Sequence, residues 1–388
     1  MDRIYLDYAA STPIDKRVID EMLPFFSTVF GNPSSMHYFG QKAEGAVELA
    51  RQRIQNALNA QDYDVIFTSG GTESDNLALR GMALKERNER GSNRILISGV
   101  EHHAVLATAE QLKKYYGFEL ELLRVDVNGK LDISQFINTI DNNVAVVSVI
   151  YANNEIGTIN PINEIAMICR DKEIPFHTDA VQAVAHLEIN MSSNEIDLLS
   201  FGAHKFYGPK GVGALLKKKD IELLPQITGG MQERGSRAGT HNVPYIMGMV
   251  KALELVIDER EFDSTRLKIL RDKLIEEVLK KIQGSKLTGD PVDRLPNHAS
   301  FVIDGVNGND LLIALDIAGF AVSSGSACKV GNPTPSDVLL AIGLEPALAM
   351  GSIRVTLGKT TTINEVNNFL SALAQVVDSI RKSKSGVL

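Results

Sequence analysis

Over residues 40–58 the apolar positions Ala43, Ala46, Val47, Ala50, Ile54 and Ala57 recur every three or four residues, with Glu48, Arg51, Arg53 and Gln55 between them. That period predicts an amphipathic helix. An unbroken run follows, Val65-Ile66-Phe67-Thr68. It is too short for a helix and rich in β-branched residues, so it predicts a buried strand. A helical pattern resumes over 75–88, then a strand over 94–98, a helix over 105–115 and a strand over 119–125. Further strands are expected at 144–151, 174–178, 196–201 and 212–216, with a helix over 163–172. Continuous apolar strands alternating with helices predict an α/β fold around a mostly parallel sheet covered on both faces. Ligands of such sheets bind beyond the carboxyl ends of the strands, so the residues after each strand carry the chemistry.

The alternation stops after residue 216. A helix over 243–261 and a second, charged helix over 266–283 are expected there, and the boundary between two lobes falls near 243–262. A strand over 299–303, a helix over 309–318, a strand over 353–357 and a closing helix over 363–380 complete the pattern.

Composition narrows the function. The chain has 388 residues, 44% of them hydrophobic and 23% charged, as in an ordinary globular protein. Its net charge of −8 lacks the basic field that holds nucleic acid, so direct DNA or RNA binding is not expected. Two cysteines, Cys169 and Cys328, make neither a disulfide framework nor a cysteine-rich metal site, and they suit a reducing compartment. The opening Met1-Asp2-Arg3-Ile4-Tyr5-Leu6-Asp7-Tyr8 has no basic-then-apolar leader, and no stretch approaches the roughly 18 apolar residues of a membrane span. A cytoplasmic protein without membrane contact is expected.

The sharpest local signal is Ser200-Phe201-Gly202-Ala203-His204-Lys205. A lysine just past a strand can form an imine with an aldehyde, and burial lowers its pKa and makes the amine nucleophilic. Taken alone it reads first as a surface lysine in a turn, as Lys210 does, and its neighbours change that reading. Asp179 follows the strand over 174–178. Alone it would be a helix cap. Beside an imine lysine it suits the cationic ring nitrogen of pyridoxal phosphate, which needs such a partner to act as an electron sink. Ser69-Gly70-Gly71-Thr72-Glu73-Ser74 joins a strand to a helix and is either a phosphate cradle or a plain capped turn. Glu101-His102-His103 offers a ring to stack on a planar cofactor, a metal ligand, or a structural histidine; no third ligand stands at a usual spacing, so no metal is expected. Ser323-Ser324-Gly325-Ser326-Ala327-Cys328 surrounds its thiol with small residues, as an accessible nucleophile requires, whereas Cys169 sits in the apolar run Ile165-Ala166-Met167-Ile168 and reads as structural.

Together these segments resemble the cysteine desulfurases of the iron–sulfur cluster-assembly type, within the class V aminotransferase group. The resemblance runs from about Tyr5 to Glu365 and includes Tyr5-Leu6-Asp7-Tyr8-Ala9-Ala10, Asn153-Asn154-Glu155-Ile156-Gly157, His177-Thr178-Asp179-Ala180-Val181-Gln182 and Arg234-Gly235-Ser236-Arg237-Ala238-Gly239-Thr240. It implies the type I fold of enzymes dependent on pyridoxal 5′-phosphate (PLP). That is a large domain over 15–255 with a mainly parallel seven-stranded sheet, and a smaller α+β C-terminal domain over 256–388 joined by residues 1–14. A mobile cysteine loop would span about 322–335. It also implies a homodimer with active sites at the subunit interface. By motif, Lys205 corresponds to the Schiff-base lysine, Asp179 to the ring-nitrogen partner, Gln182 to the residue on the phenolic oxygen and His102 to the stacking histidine that also transfers protons. Gly71, Thr72 and His204 correspond to phosphate contacts, and Thr240 to one supplied by the other subunit. Asn154 and Arg354 correspond to groups holding the substrate carboxylate, and Cys328 to the sulfur acceptor.

The implied reaction takes sulfur from L-cysteine, releases L-alanine and leaves a persulfide on Cys328 for an iron–sulfur scaffold or a thiolation relay. The alternatives are a selenocysteine lyase, an aminotransferase, or a catalytically silent sulfur-carrier scaffold. The thiol loop argues against the aminotransferase, and the joint presence of Lys205, Asp179, His102 and Cys328 argues against the scaffold. Two positions depart from the family pattern. Gly202 stands where a serine often contacts the phosphate, a bond to a charged group whose loss would weaken the interaction by roughly 1.5–3 kcal/mol unless Ser200 compensates. The stretch Lys329-Val330-Gly331-Asn332-Pro333-Thr334-Pro335 is not the most familiar form of that loop.

Overall fold

The computed structural model describes residues 3–324 and 334–384. In chain order the strands are β1 (Ile4–Tyr5), β2 (Tyr63–Thr68), β3 (Arg94–Ser98), β4 (Glu119–Leu123), β5 (Val144–Ser148), β6 (Phe176–Asp179), β7 (Leu198–Gly202), β8 (Gly213–Lys218), β9 (Ser285–Leu287), β10 (His298–Ile303), β11 (Phe320–Ala321) and β12 (Ser352–Thr356). The helices are α1 (Lys16–Met22), α2 (Pro24–Ser27), α3 (Tyr38–Ala57), α4 (Gly71–Arg90), α5 (His103–Tyr116), α6 (Ile133–Thr139), α7 (Ile162–Asp171), α8 (Val243–Lys281), α9 (Gly308–Ile317), α10 (Asp337–Ala341), α11 (Pro346–Ala349) and α12 (Ile363–Lys384).

A seven-stranded sheet runs in the order β2-β8-β7-β6-β5-β3-β4. Only β8 is antiparallel to its neighbours. The apolar runs make sense in this setting. Every residue of β5 and β7 is buried, because helices cover both faces. On one face Val47 and Ile54 of α3 pack with Val147, Phe176 and Phe201. On the other, Leu79 and Met82 of α4 and Leu112 of α5 pack with Ile95, Ile97 and Val146. The chain leaves β3 toward β4 on one side and returns to β5 on the other, which opens a crevice at the carboxyl edge.

A second, three-stranded antiparallel sheet, β12-β10-β9, builds its own core from Phe301, Val355, Leu274 and Phe369. The N-terminal segment ties the two sheets together. β1 pairs with β11, and the Thr356 amide donates to Leu6 O at 2.8 Å. Further on, the Ala9 amide donates to Thr356 Oγ1 at 2.9 Å, and the Thr12 amide to His204 O at 2.9 Å.

The structure corrects one expectation about the elements. The two helices expected over 243–261 and 266–283 are a single helix of 39 residues, α8. Between them lies Phe262-Asp263-Ser264-Thr265, which holds neither glycine nor proline. The apolar face changes partner there: Val250 and Leu253 belong to the first core, Leu267 and Leu274 to the second. Two phases of one helix therefore imitate two helices. The charged middle is used sideways, with Arg260 donating to Leu187 O and Arg266 to Gly358 O and Thr361 O.

Continuity of α8 has a direct test. Thr265 is exposed, so Thr265→Pro removes no core contact, yet it should destabilise the protein by about 3 kcal/mol if the helix is unbroken there. Thermal melting should show a fall of several degrees. A melting point equal to wild type would place a helix break at that position.

Candidate active site

The carboxyl edge of the large sheet is where the singled-out residues meet. β2 ends at Thr68, and the chain turns through Gly70 at φ +153° into α4. No side chain among the described residues caps that helix, so the first-turn amides and the positive dipole end face outward, an arrangement suited to an anion. Close approach demands small residues. A Cβ on Gly202 would lie 3.0 Å from the Gly71 nitrogen, and one on Gly213 would lie 2.7 Å from Gly70. The backbone at the start of α4 thus occupies the space a longer side chain at position 202 would need. Ser200 does not replace the missing hydroxyl, since its Oγ is bonded to His177 Nε2 at 2.9 Å inside the sheet.

From β3 the chain passes Glu101 and reaches His102, whose Nδ1 accepts the Ala104 N–H at 3.1 Å and caps α5. An accepting Nδ1 places the proton of the neutral ring on Nε2. His102 is exposed at the cavity mouth. Desolvation pushes its pKa down, against the pull of Asp179. Asp179 closes β6 and accepts the Val181 N–H at 2.8 Å. Burial pushes its carboxyl up, opposed by His102, the Val181 N–H and Lys205. Gln182 Nε2 donates to Ala9 O at 2.9 Å.

β7 ends in one 3-10 turn, Ala203–Lys205, which turns Lys205 back over the sheet edge. Its Nζ donates to Ala9 O at 2.7 Å and Ala10 O at 2.8 Å. Burial, helped by the nearby Arg354 charge, brings its pKa down to about 8, although Asp7 and Asp179 pull the other way. Desolvation and the two neighbouring lysines hold His204 at about 4, so its ring is neutral.

A cavity of about 520 Å³ opens among these groups. Gly71, Thr72, His102, Asn154, Asp179, Gln182, His204 and Lys205 all line it. Lys210 lines it too, from an exposed position. Arg354 stands behind that wall, donating from Nη1 to Asn154 O at 2.9 Å and from Nη2 to Asp7 at 2.8 Å. Its Nε is buried without a hydrogen-bond partner among the described residues. Thr240 is exposed and outside the cavity wall of its own chain. Cys328 lies outside the described residues. Cys169 is buried in α7, where burial raises its pKa well above the ordinary thiol value.

Sequence reading missed Asp75, which also lines the cavity. The signal was present: Asp75 shares the buried face of α4 with Ala78, Leu79 and Met82 at helical spacing. Ligand atoms of Asp75, His102 and Asp179 lie within 4.8 Å of one another. Such a set can face a metal ion or the protonated nitrogen of an aromatic ring.

Comparison with known proteins decides between them. Residues 4–369 match the family model Aminotransferase class-V. The chain belongs to the class-V aminotransferase family. It is 46% identical over 378 residues to "Cysteine desulfurase IscS" of Dictyoglomus turgidum, covering 97% of this chain and 95% of that one. A solved "NifS-like protein" superposes with a TM-score of 0.90 at 34% identity, covering 97% of this chain and 100% of the other. A structure described as "SspA in complex with cysteine" superposes with a TM-score of 0.79 at 34% identity, over 91% and 98% of the two chains. Within class V the chain falls among the PLP-dependent cysteine desulfurases, and its mixed sheet is the type I fold.

The residues fit that cofactor. A phosphate matches the uncapped, glycine-lined start of α4; a cationic ring nitrogen matches the buried carboxyl of Asp179; an aldehyde matches an amine held by two carbonyls and no carboxylate among the described residues.

The lowered pKa makes a checkable claim about this class-V chain. An amine is protonated and inert below its pKa and becomes nucleophilic as pH rises through it. In the apo-protein, labelling of Lys205 by an amine-selective reagent, read by peptide mass, should reach half its maximum at about pH 8. A midpoint at the ordinary lysine value of 10.5 would contradict the environment described.

Proposed function

We propose that the protein takes sulfur from L-cysteine to give L-alanine and a Cys328 persulfide, which supplies iron–sulfur cluster assembly or a thiolation pathway. The observation that carries this reading is the position of Lys205, its amine in one cavity with Asp179 and His102. One solved relative, SspA, is in complex with cysteine, which supports the substrate.

In this reading Lys205 would attach PLP, Asp179 would hold its ring nitrogen and His102 would stack on the ring. Gln182 would meet its phenolic oxygen, while Gly71, Thr72 and His204 would receive its phosphate. Bound there, PLP serves as the electron sink for a carbanion at the substrate α-carbon. The protein's own groups do the rest. Lys205, with its pKa brought down to about 8, takes and returns a proton at working pH. The His102 Nε2–H is a second proton-bearing group at the cavity mouth. Asn154 and Arg354 hold the substrate carboxylate, a role supported by the unpartnered Arg354 Nε and the fork geometry of guanidinium. The thiolate of Cys328 attacks the substrate sulfur. The carbon–sulfur bond breaks, its electron pair stays on carbon, and a proton there completes alanine.

The same reading includes a large domain over 15–255 and a small one over 1–14 and 256–388, supported by the change of core along α8. It includes a homodimer in which Thr240 serves the other copy. Its support is the exposed position of Thr240 outside its own cavity, and a run of exposed apolar side chains, Phe26, Phe30, Met36, Tyr38 and Phe39. Among the described residues no helix is long and apolar enough to cross a membrane. We place the protein in the cytoplasm, where a free thiol such as Cys328 stays reduced.

Two variants test the assignment. Lys205→Ala should lose the visible absorbance of attached PLP and at least about a thousandfold in kcat/KM for alanine formation. Retained steady-state turnover would remove Lys205 from the mechanism. Cys328→Ser should still bind PLP and cysteine yet form no protein persulfide on trapping with an alkylating reagent. Persulfide trapped on Cys169 would make that thiol the sulfur acceptor instead.

A further inference from the structure

The floor of the cavity carries more acid than the proposed chemistry uses. Asp75 is only 1% exposed, and its Oδ1 has no hydrogen-bond partner among the described residues. One of its oxygens lies within 4.8 Å of an Asp179 oxygen and of a His102 ring nitrogen. The two aspartates differ in their surroundings. Asp179 accepts a backbone N–H at 2.8 Å and faces His102 and Lys205. Asp75 faces Asp179, Glu101 and the Ser200 hydroxyl, and no lysine or arginine among the described residues pairs with it.

Behind Asp75 stands His177, fully buried, with Nδ1 bonded to Ser148 Oγ at 2.8 Å and Nε2 to Ser200 Oγ at 2.9 Å. The ring comes within 3.6 Å of Asp75 Oδ1. Burial holds His177 at about 3, so it supplies a neutral ring and no countercharge. Glu101, the other acid on this side, takes the Ser98 hydroxyl and the Ile150 N–H on one oxygen and leaves the second unpartnered among the described residues. Burial pushes Glu101 up to about 8.

Two buried carboxyls this close do not both stay ionised; one keeps a proton. The site with a backbone donor and the facing Lys205 amine stabilises the anion, and the site with an orphan oxygen and a neutral histidine does not. We propose that Asp75 is a positioning residue: a neutral carboxylic acid, set in place by the Ser200–His177–Ser148 string, that leaves Asp179 the single anion presented to the cofactor's ring nitrogen. Asp75 acts through Asp179. The inference rests on the reading of Asp179 as the ring-nitrogen partner.

The test compares wild type with Asp75→Asn, which keeps the shape of the neutral acid and cannot ionise. Infrared spectra of apo-protein carrying ¹³C-labelled aspartate should show a protonated-carboxyl band at pH 7 in wild type that Asp75→Asn lacks; Glu101 stays unlabelled and does not interfere. With PLP bound, the pH midpoint of its visible absorbance should coincide in the two proteins. Asp75→Ala, which leaves Asp179 unsupported, should bind PLP about tenfold more weakly, and Asp75→Asn should restore that loss. Either of two results overturns the proposal. One is a protonated-aspartate band that survives in Asp75→Asn, putting the proton on another aspartate. The other is a shift of the PLP midpoint by about one pH unit, the mark of a lost charge. Should Asp75→Ala fail to fold, the infrared and midpoint comparisons with Asp75→Asn still decide. PLP uptake by wild type reports separately on the cofactor reading: no uptake would end that reading, while the infrared band would still locate the proton.

Discussion

A half-buried amine with no anionic partner among the described residues sets the terms for the rest of the site. Lys205 is turned over the sheet edge and held by the carbonyls of Ala9 and Ala10. Carbonyl dipoles fix its direction without the full charge that would keep it an ammonium. Burial then makes the free base accessible near neutral pH. The strap that supplies those carbonyls is anchored at one end, through β1 on β11 and through Thr356 of the small sheet. Its other end is sewn to the large sheet, through Thr12 and His204. The reactive amine is therefore oriented by both parts of the molecule, and a shift of one against the other would move it.

The sheet order supplies the opposing charge. Adjacent strands β3, β5, β6 and β7 end in the same crevice, and each delivers one kind of group: His102, Asn154, Asp179 and Lys205. Next to them the uncapped start of α4 gives positive potential without a cation. A phosphate at one end and a cationic ring at the other would thus be met by different means. The strength of the second depends on how negative charge is shared among Asp179, Asp75 and Glu101, all buried in one place.

Much of this was legible in the residues. Strand runs with β-branched residues and glycine-rich exits located the crevice, because local sequence there serves one face and one end of a sheet. Lys205, Asp179 and His102 were readable as a set, since a lysine, an acid and a ring beyond neighbouring strands are hard to explain singly. Three features were not readable. Helix α8 changes core along its length, and a change of apolar phase looks like a break. The part of Ala9 and Ala10 is played by backbone, which leaves no side-chain signature. Asp75 could have been noticed as a carboxyl on an apolar helix face, yet its closeness to Asp179 is a matter of tertiary packing alone.

All of this chemistry requires that a single lysine carry the cofactor. Holoenzyme treated with borohydride, which makes a pyridoxyl–lysine bond permanent, can be digested and its peptides weighed. The added mass should fall on the peptide bearing Lys205 and be fully accounted for there. Mass on the peptide bearing Lys210, the other lysine lining the cavity, or a protein that gains no mass at all, would rule out Lys205 as the attachment point.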